Sequence, residues 1–190
     1  MPTWSWGEDM KKLSAARRLA LSAVLTALAL GLSYAERAIP LGLVIPLPGI
    51  KLGLANVVTL FALCALGPVT AGGILLARCF LGSLFAGSLS GLIFSLSGGI
   101  LSLFVMLLMK KTGLSVYGIS VCGAAAHNVG QILAAMGVMK TAAVVSYLPL
   151  LLLVSVPAGL ITGAMTAGVI RAFSAAGLRR LLPGEKGESQ

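Results

Sequence analysis

The sequence predicts an all-α integral membrane protein: one bundle of six transmembrane helices with both termini in the cytoplasm. Three observations carry that prediction. Hydrophobic residues fill 58% of the 190 positions and charged residues 10%, with a mean hydropathy of +1.03, more apolar surface than a water-soluble domain can hide. Apolar runs recur along nearly the whole length, leaving no room for a separate soluble domain. The basic residues cluster beside those runs, so the net charge of +9 reads as membrane topology and not as nucleic-acid binding.

In chain order, residues 1–14 form a polar cytoplasmic arm with Trp4 and Trp6 as interfacial anchors. The membrane domain follows over residues 15–171, and residues 172–190 are a basic cytoplasmic tail. The first span runs from about Ala16 to Ala35, enough to cross about 30 Å of hydrocarbon at 1.5 Å per residue. Ala16 and Ala20, then Ala23, Ala27 and Gly31, are spaced four apart and form close-set stripes. Such stripes let a second helix approach, in the same chain or in a partner, because association in lipid depends on packing. Glu36 and Arg37 end the span. Pro40, Pro46 and Pro48 make residues 39–49 a loop or re-entrant segment suited to a lid or vestibule.

The second span, about Ile50 to Leu66, is short and ends at Gly67-Pro68. The third covers about Val69 to Phe85. Five serines between Ser83 and Ser97, among Gly82, Gly87, Gly91, Gly98 and Gly99, suggest irregular backbone buried within the protein at the next connection. The fourth span, about Gly91 to Met109, stops at Lys110-Lys111. The fifth runs from about Leu114 to Met139, and the sixth from about Ala142 to Ile170, with kinks expected at Pro149 and Pro157. Six spans place Lys11, Lys12, Arg17, Arg18, Lys110, Lys111, Arg171, Arg179, Arg180 and Lys186 on one face, as the positive-inside rule requires. Only Arg37, Lys51, Arg78 and Lys140 remain for the other face or the interior.

An ionisable side chain inside a span costs about 3 kcal/mol on insertion scales and is retained where it meets a cavity or a partner. Arg78 is the strongest candidate, with a planar fork of donors suited to carboxylate or phosphate. The alternative is a bond to backbone carbonyls or snorkelling to an interface. Lys51 lies near the outer end of span two, where snorkelling also competes. His127 and Gln131 share a helical face, with Asn128 beside them. Imidazole and amide groups orient a ligand by hydrogen bonds without imposing charge, although a lone histidine also serves as an interhelical bond. Asn56, five residues after Lys51, lies about 140° around a continuous helix from it and is weighed separately.

Whole classes of chemistry are excluded. Asp9 is the single aspartate, so no aspartate-rich motif holds magnesium for diphosphate chemistry. No P-loop, GxSxG motif or metal-ligand spacing occurs, and Glu8, Asp9, Glu36, Glu185 and Glu188 all fall in tails or a loop. Cys64, Cys79 and Cys122 read as small packing residues. The chain reads as a non-enzyme without cofactor or metal, and active transport would need a partner or an ion gradient.

Three motifs in order carry a resemblance over roughly residues 15–171: Pro48-Gly-Ile-Lys-Leu-Gly-Leu-Ala-Asn-Val-Val-Thr-Leu, Ser95-Leu-Ser-Gly-Gly, and Ala126-His-Asn-Val-Gly-Gln. The sequence resembles the Gx transporter family, which often carries the name heptaprenyl diphosphate synthase component I. That family is similar to the substrate-binding S components of energy-coupling factor (ECF) transporters. The resemblance implies a six-helix membrane protein that joins a coupling transmembrane subunit and two ATPase subunits. It implies that Ala16, Ala20, Ala23 and Ala27 dock on the coupling subunit. It also implies a small anionic solute bound by Arg78 and Lys51 and oriented by Asn56, His127, Asn128 and Gln131. The alternative implied by the enzyme name is a membrane accessory subunit of heptaprenyl diphosphate synthase in isoprenoid or menaquinone biosynthesis.

Overall fold

A computed structural model describes residues 14–37 and 53–175. Residues 1–13 of the N-terminal arm, residues 38–52 with the proline-rich loop and Lys51, and residues 176–190 of the basic tail lie outside the described residues. Every regular element described is helical: α1 (Ala15–Arg37), α2 (Asn56–Ala65), α3 (Pro68–Ala86), α4 (Leu89–Lys111), α5 (Val116–Met139), a 3-10 segment (Ala142–Tyr147) and α6 (Leu148–Ala175). Among the described residues, five stretches have the length and apolarity to cross a membrane: α1, α3, α4, α5, and the 3-10 segment continued by α6. They carry large apolar side chains outward, Leu19, Phe80, Leu84, Phe104 and Leu153 among them, as a lipid-facing surface requires.

The expected second span is different. Its helix has ten residues, about 15 Å of rise, which is half of a bilayer core. Gly53, at φ +81°, takes a left-handed conformation ahead of Asn56, the first residue of the helix. All ten residues of α2 are buried, and α2 touches each of the other five helices. It is the axis of the bundle.

A short helix buried end to end exposes unsatisfied amides at one terminus and carbonyls at the other, with no water to meet them. Two charged side chains answer this. The Glu36 carboxylate, from the last turn of α1, accepts the backbone N–H groups of Gly53 and Leu54 just ahead of α2, the second at 3.2 Å. The Lys110 ammonium, from the last turn of α4, donates to the Leu63 carbonyl at 3.0 Å. Negative charge at the amino end and positive at the carboxyl end both oppose the helix dipole. Glu36, expected in a loop, is instead a buried helical residue, only 3% exposed.

The glycine- and serine-rich connection is also not irregular. Helix α3 runs to Ala86, Gly87 takes the left-handed cap position at φ +59°, and the Ser88 N–H closes the turn on the Ser83 carbonyl. The Ser88 hydroxyl then caps α4 by accepting the Gly91 N–H at 3.0 Å. The glycines inside α4 and α5 serve packing. A Cβ on Gly130 would stand 2.6 Å from the Ser97 carbonyl oxygen, so only glycine permits this crossing, and the Ser97 hydroxyl bridges it to the Gly130 carbonyl at 2.6 Å. Pro149 sits in the first turn of α6, where its missing N–H is not needed, while Pro157 lies inside the helix.

Neighbouring registers give the topology. Residues 98 and 130, 99 and 75, and 159 and 121 face one another, so α3, α4, α5 and α6 alternate in direction. Arg18 reaches Thr70 at 3.0 Å, and Gly82 packs on Leu30, so α1 and α3 run parallel. The starts of α1 and α3 and the end of α4 therefore share one end of the bundle, where Arg17, Arg18, Lys110 and Lys111 gather.

Candidate functional site

Three motifs far apart in sequence meet beside the amino end of α2. Arg78 is near the middle of α3, and its Nη2 donates to Asn56 Oδ1 at 3.4 Å. Asn56 is the first residue of α2, at the positive end of that helix. Directly before it, a Cβ on Gly53 would stand 2.9 Å from Asn56 Nδ2 and 3.4 Å from His127 Cδ2. On the far side of the same imidazole, a Cβ on Gly98 would stand 2.9 Å from His127 Cε1 and 3.0 Å from Gln131 Cγ. Arg78, Asn56, His127 and Gln131 thus form one continuous polar array from three helices, and all four are buried. Gly53 and Gly98 leave the space in which the imidazole lies.

Sequence reasoning placed Asn128 in this array, and its amide has another use. Asn128 Nδ2 donates to the Leu151 carbonyl of α6 at 2.9 Å, and so ties α5 to α6. Successive residues on a helix point about 100° apart, so His127 and Asn128 serve different neighbours while Gln131 returns to the histidine's face. Lys51 lies outside the described residues.

The array is electrically mixed. Glu36 is the nearby acid whose field acts on Arg78, and it also fixes the Gly53–Leu54 turn that positions Asn56. Spacing alone does not reveal this role, because Glu36 stands next to Arg37 at the end of a span. Two donors in the array have no hydrogen-bond partner among the described residues: Arg78 Nε and Asn56 Nδ2. A buried donor left without an acceptor costs about 1–3 kcal/mol, and more for a charged group. Adjacent open donors of this kind suit a ligand that brings acceptor oxygens. No group of three or more His, Cys, Asp or Glu side chains forms a metal site among the described residues.

On the outer surface of α1, Ala16, Ala20, Ala23 and Ala27 are all exposed, while Leu25 and Ala29 face the bundle. Ala23 and Ala27 border a shallow apolar groove whose other wall is Gly73, Ala77 and Leu81 of α3.

The family model described as heptaprenyl diphosphate synthase component I matches residues 25–169, which include every member of the buried array. The chain belongs to that family. No curated protein and no solved structure matches it. A component I is a subunit by description, in agreement with a chain that lacks paired carboxylates or a magnesium motif for prenyl transfer. The component I match leaves out Ala16, Ala20 and Ala23 and retains Ala27.

Proposed function

We propose that the chain is the membrane substrate-binding (S) component of an ECF-type transporter in the cell membrane. It binds a small anionic solute at Arg78 and Asn56, with His127 and Gln131 orienting the neutral part and Lys51 adding charge. The observation that carries this reading is the pair of open donors on Arg78 and Asn56, buried near mid-helix at the start of a half-length helix. Short or broken helices whose positive ends meet a substrate near the bilayer midplane are a recurrent transporter arrangement. Both termini are cytoplasmic in this reading, and the gathering of Arg17, Arg18, Lys110 and Lys111 at one end supports it. The exposed alanines of α1 are the docking stripe for a coupling transmembrane subunit that works with two ATPases.

A second reading, taken from the wording of the family description, is a membrane accessory subunit of heptaprenyl diphosphate synthase in isoprenoid or menaquinone biosynthesis. Deleting the gene separates the two. The transport reading expects a strain that requires an added nutrient while its long-chain quinone content stays at the wild-type level. Loss of long-chain quinone without any uptake defect supports the accessory-subunit reading instead.

A further inference from the structure

Helices α1 and α4 both pack on α3 but not on each other, which leaves a cleft between them toward the far end from the basic cluster. Arg78 forms part of its floor, with Ser83 on α3. Ser33 and Tyr34 of α1 make one wall, and Ser88 and Ser95 of α4 make the other. Four serines and a tyrosine line this cleft beside one buried guanidinium, in a bundle otherwise dominated by apolar side chains; the Ser83 hydroxyl donates to the Phe80 carbonyl at 2.9 Å and the Ser88 hydroxyl accepts the Gly91 N–H. Arg78 is only 7% exposed, and its Nε has no hydrogen-bond partner among the described residues. The first turn of α4 borders the cleft and adds the positive end of its helix dipole.

The geometry points to this cleft as the entrance and binding subsite for an oxyanion group, carboxylate or phosphate, which Arg78 receives while serine hydroxyls replace its water. This rests on the reading of Arg78 as the anion-binding residue and adds where the charged group sits. Neither Ser33, Ser83, Ser88 nor Ser95 is needed to build the buried array itself, since that array lies on the Asn56 side of Arg78. The guanidinium and a helix amino terminus are complementary to oxyanions, and the lining hydroxyls, which both donate and accept, adapt to one. The oxyanion arrives either on a soluble solute or as the head group of a lipid, and one experiment distinguishes them.

Cysteine is placed at Ser83 or Ser33 in full-length protein in vesicles, with Cys64, Cys79 and Cys122 replaced by alanine. Reaction is followed with an anionic sulfonatoethyl and a cationic trimethylammonium-ethyl methanethiosulfonate, each scaled to its rate with a free thiol. The anionic reagent is expected to be favoured about tenfold, the size of a unit charge effect at short range in a partly screened site. Arg78→Gln should bring the ratio near one, and Arg78→Lys, which keeps the charge if the first variant does not fold, should retain it. Protection from labelling by inorganic phosphate or acetate identifies a soluble oxyanion, and protection by phosphatidic acid alone identifies a lipid head group. Unreactive cysteines at both positions, no preference for the anionic reagent, or no protection by any of the three would overturn the subsite. Those outcomes leave a requirement for Arg78 in uptake untouched. Failure to join a coupling module would remove the transport reading and leave the cleft result standing.

Discussion

Arg78→Ala is expected to abolish solute-dependent growth of a deletion strain complemented with the variant, while Arg78→Lys restores it in part. The buried guanidinium provides the array's charge, and its fork is already held on one side by Asn56. Removing a buried, hydrogen-bonded charge that meets a ligand costs about 3 kcal/mol, roughly a hundredfold in affinity. Lysine returns the charge but not the fork, and so loses the bond to Asn56 Oδ1 together with the open Nε. The fold should persist in the alanine variant, because Glu36 keeps its two backbone donors when Arg78 is gone. Monodisperse elution in detergent checks the fold, and growth or uptake reads the function. Uptake at the wild-type level in Arg78→Ala would remove Arg78 from the binding site.

Glu36→Ala carries the largest expected effect on stability. Two backbone amides ahead of α2 lose their acceptor inside the bundle, and α2 is the helix that every other helix touches. Hydrogen bonds to a charged group contribute about 1.5–3 kcal/mol each before the loss is softened by rearrangement, so a loss of about 3 kcal/mol is expected overall. Glu36→Gln keeps one acceptor oxygen and should fall between the alanine variant and wild type. Lys110→Met, at the opposite end of α2, removes one bond to the Leu63 carbonyl and should cost about 1 kcal/mol. Thermal unfolding in detergent across the three variants gives the order directly. A Glu36→Ala midpoint equal to that of wild type would show that the Gly53–Leu54 turn does not depend on the carboxylate.

Much of this architecture was legible in the sequence, because a run of apolar residues as long as the bilayer is thick has few alternatives to a helix. Arg78 and the His127–Gln131 pair stood out for the same reason: an apolar background makes a polar side chain conspicuous. What escaped depended on contacts between distant segments. Glu36 looks like a charge at a span's edge, and only the return of residues 53 and 54 against the end of α1 makes it a buried cap. The run from Gly82 to Gly99 has the composition of a loop, yet helix satisfies its backbone in lipid and its small side chains allow α4 and α5 to approach. Helix α2 was expected to span from about residue 50, since apolar composition does not reveal that the described helix begins only at Asn56, after a left-handed glycine. The bond from Asn128 Nδ2 to the Leu151 carbonyl of α6 is likewise a contact that spacing along one helix does not show.

The most direct test of the S-component account is capture of the tagged chain, in detergent, from cells that express an energy-coupling module, compared with Ala23→Leu plus Ala27→Leu. Both alanines are exposed on α1 at the edge of the groove facing Gly73, Ala77 and Leu81, so the leucines fill the groove a docked helix would use, and monodisperse elution in detergent checks that the bundle persists. The account predicts that the coupling subunit and its ATPases accompany the wild-type chain and are lost with the variant. Recovery of a soluble prenyl synthase in their place would contradict it.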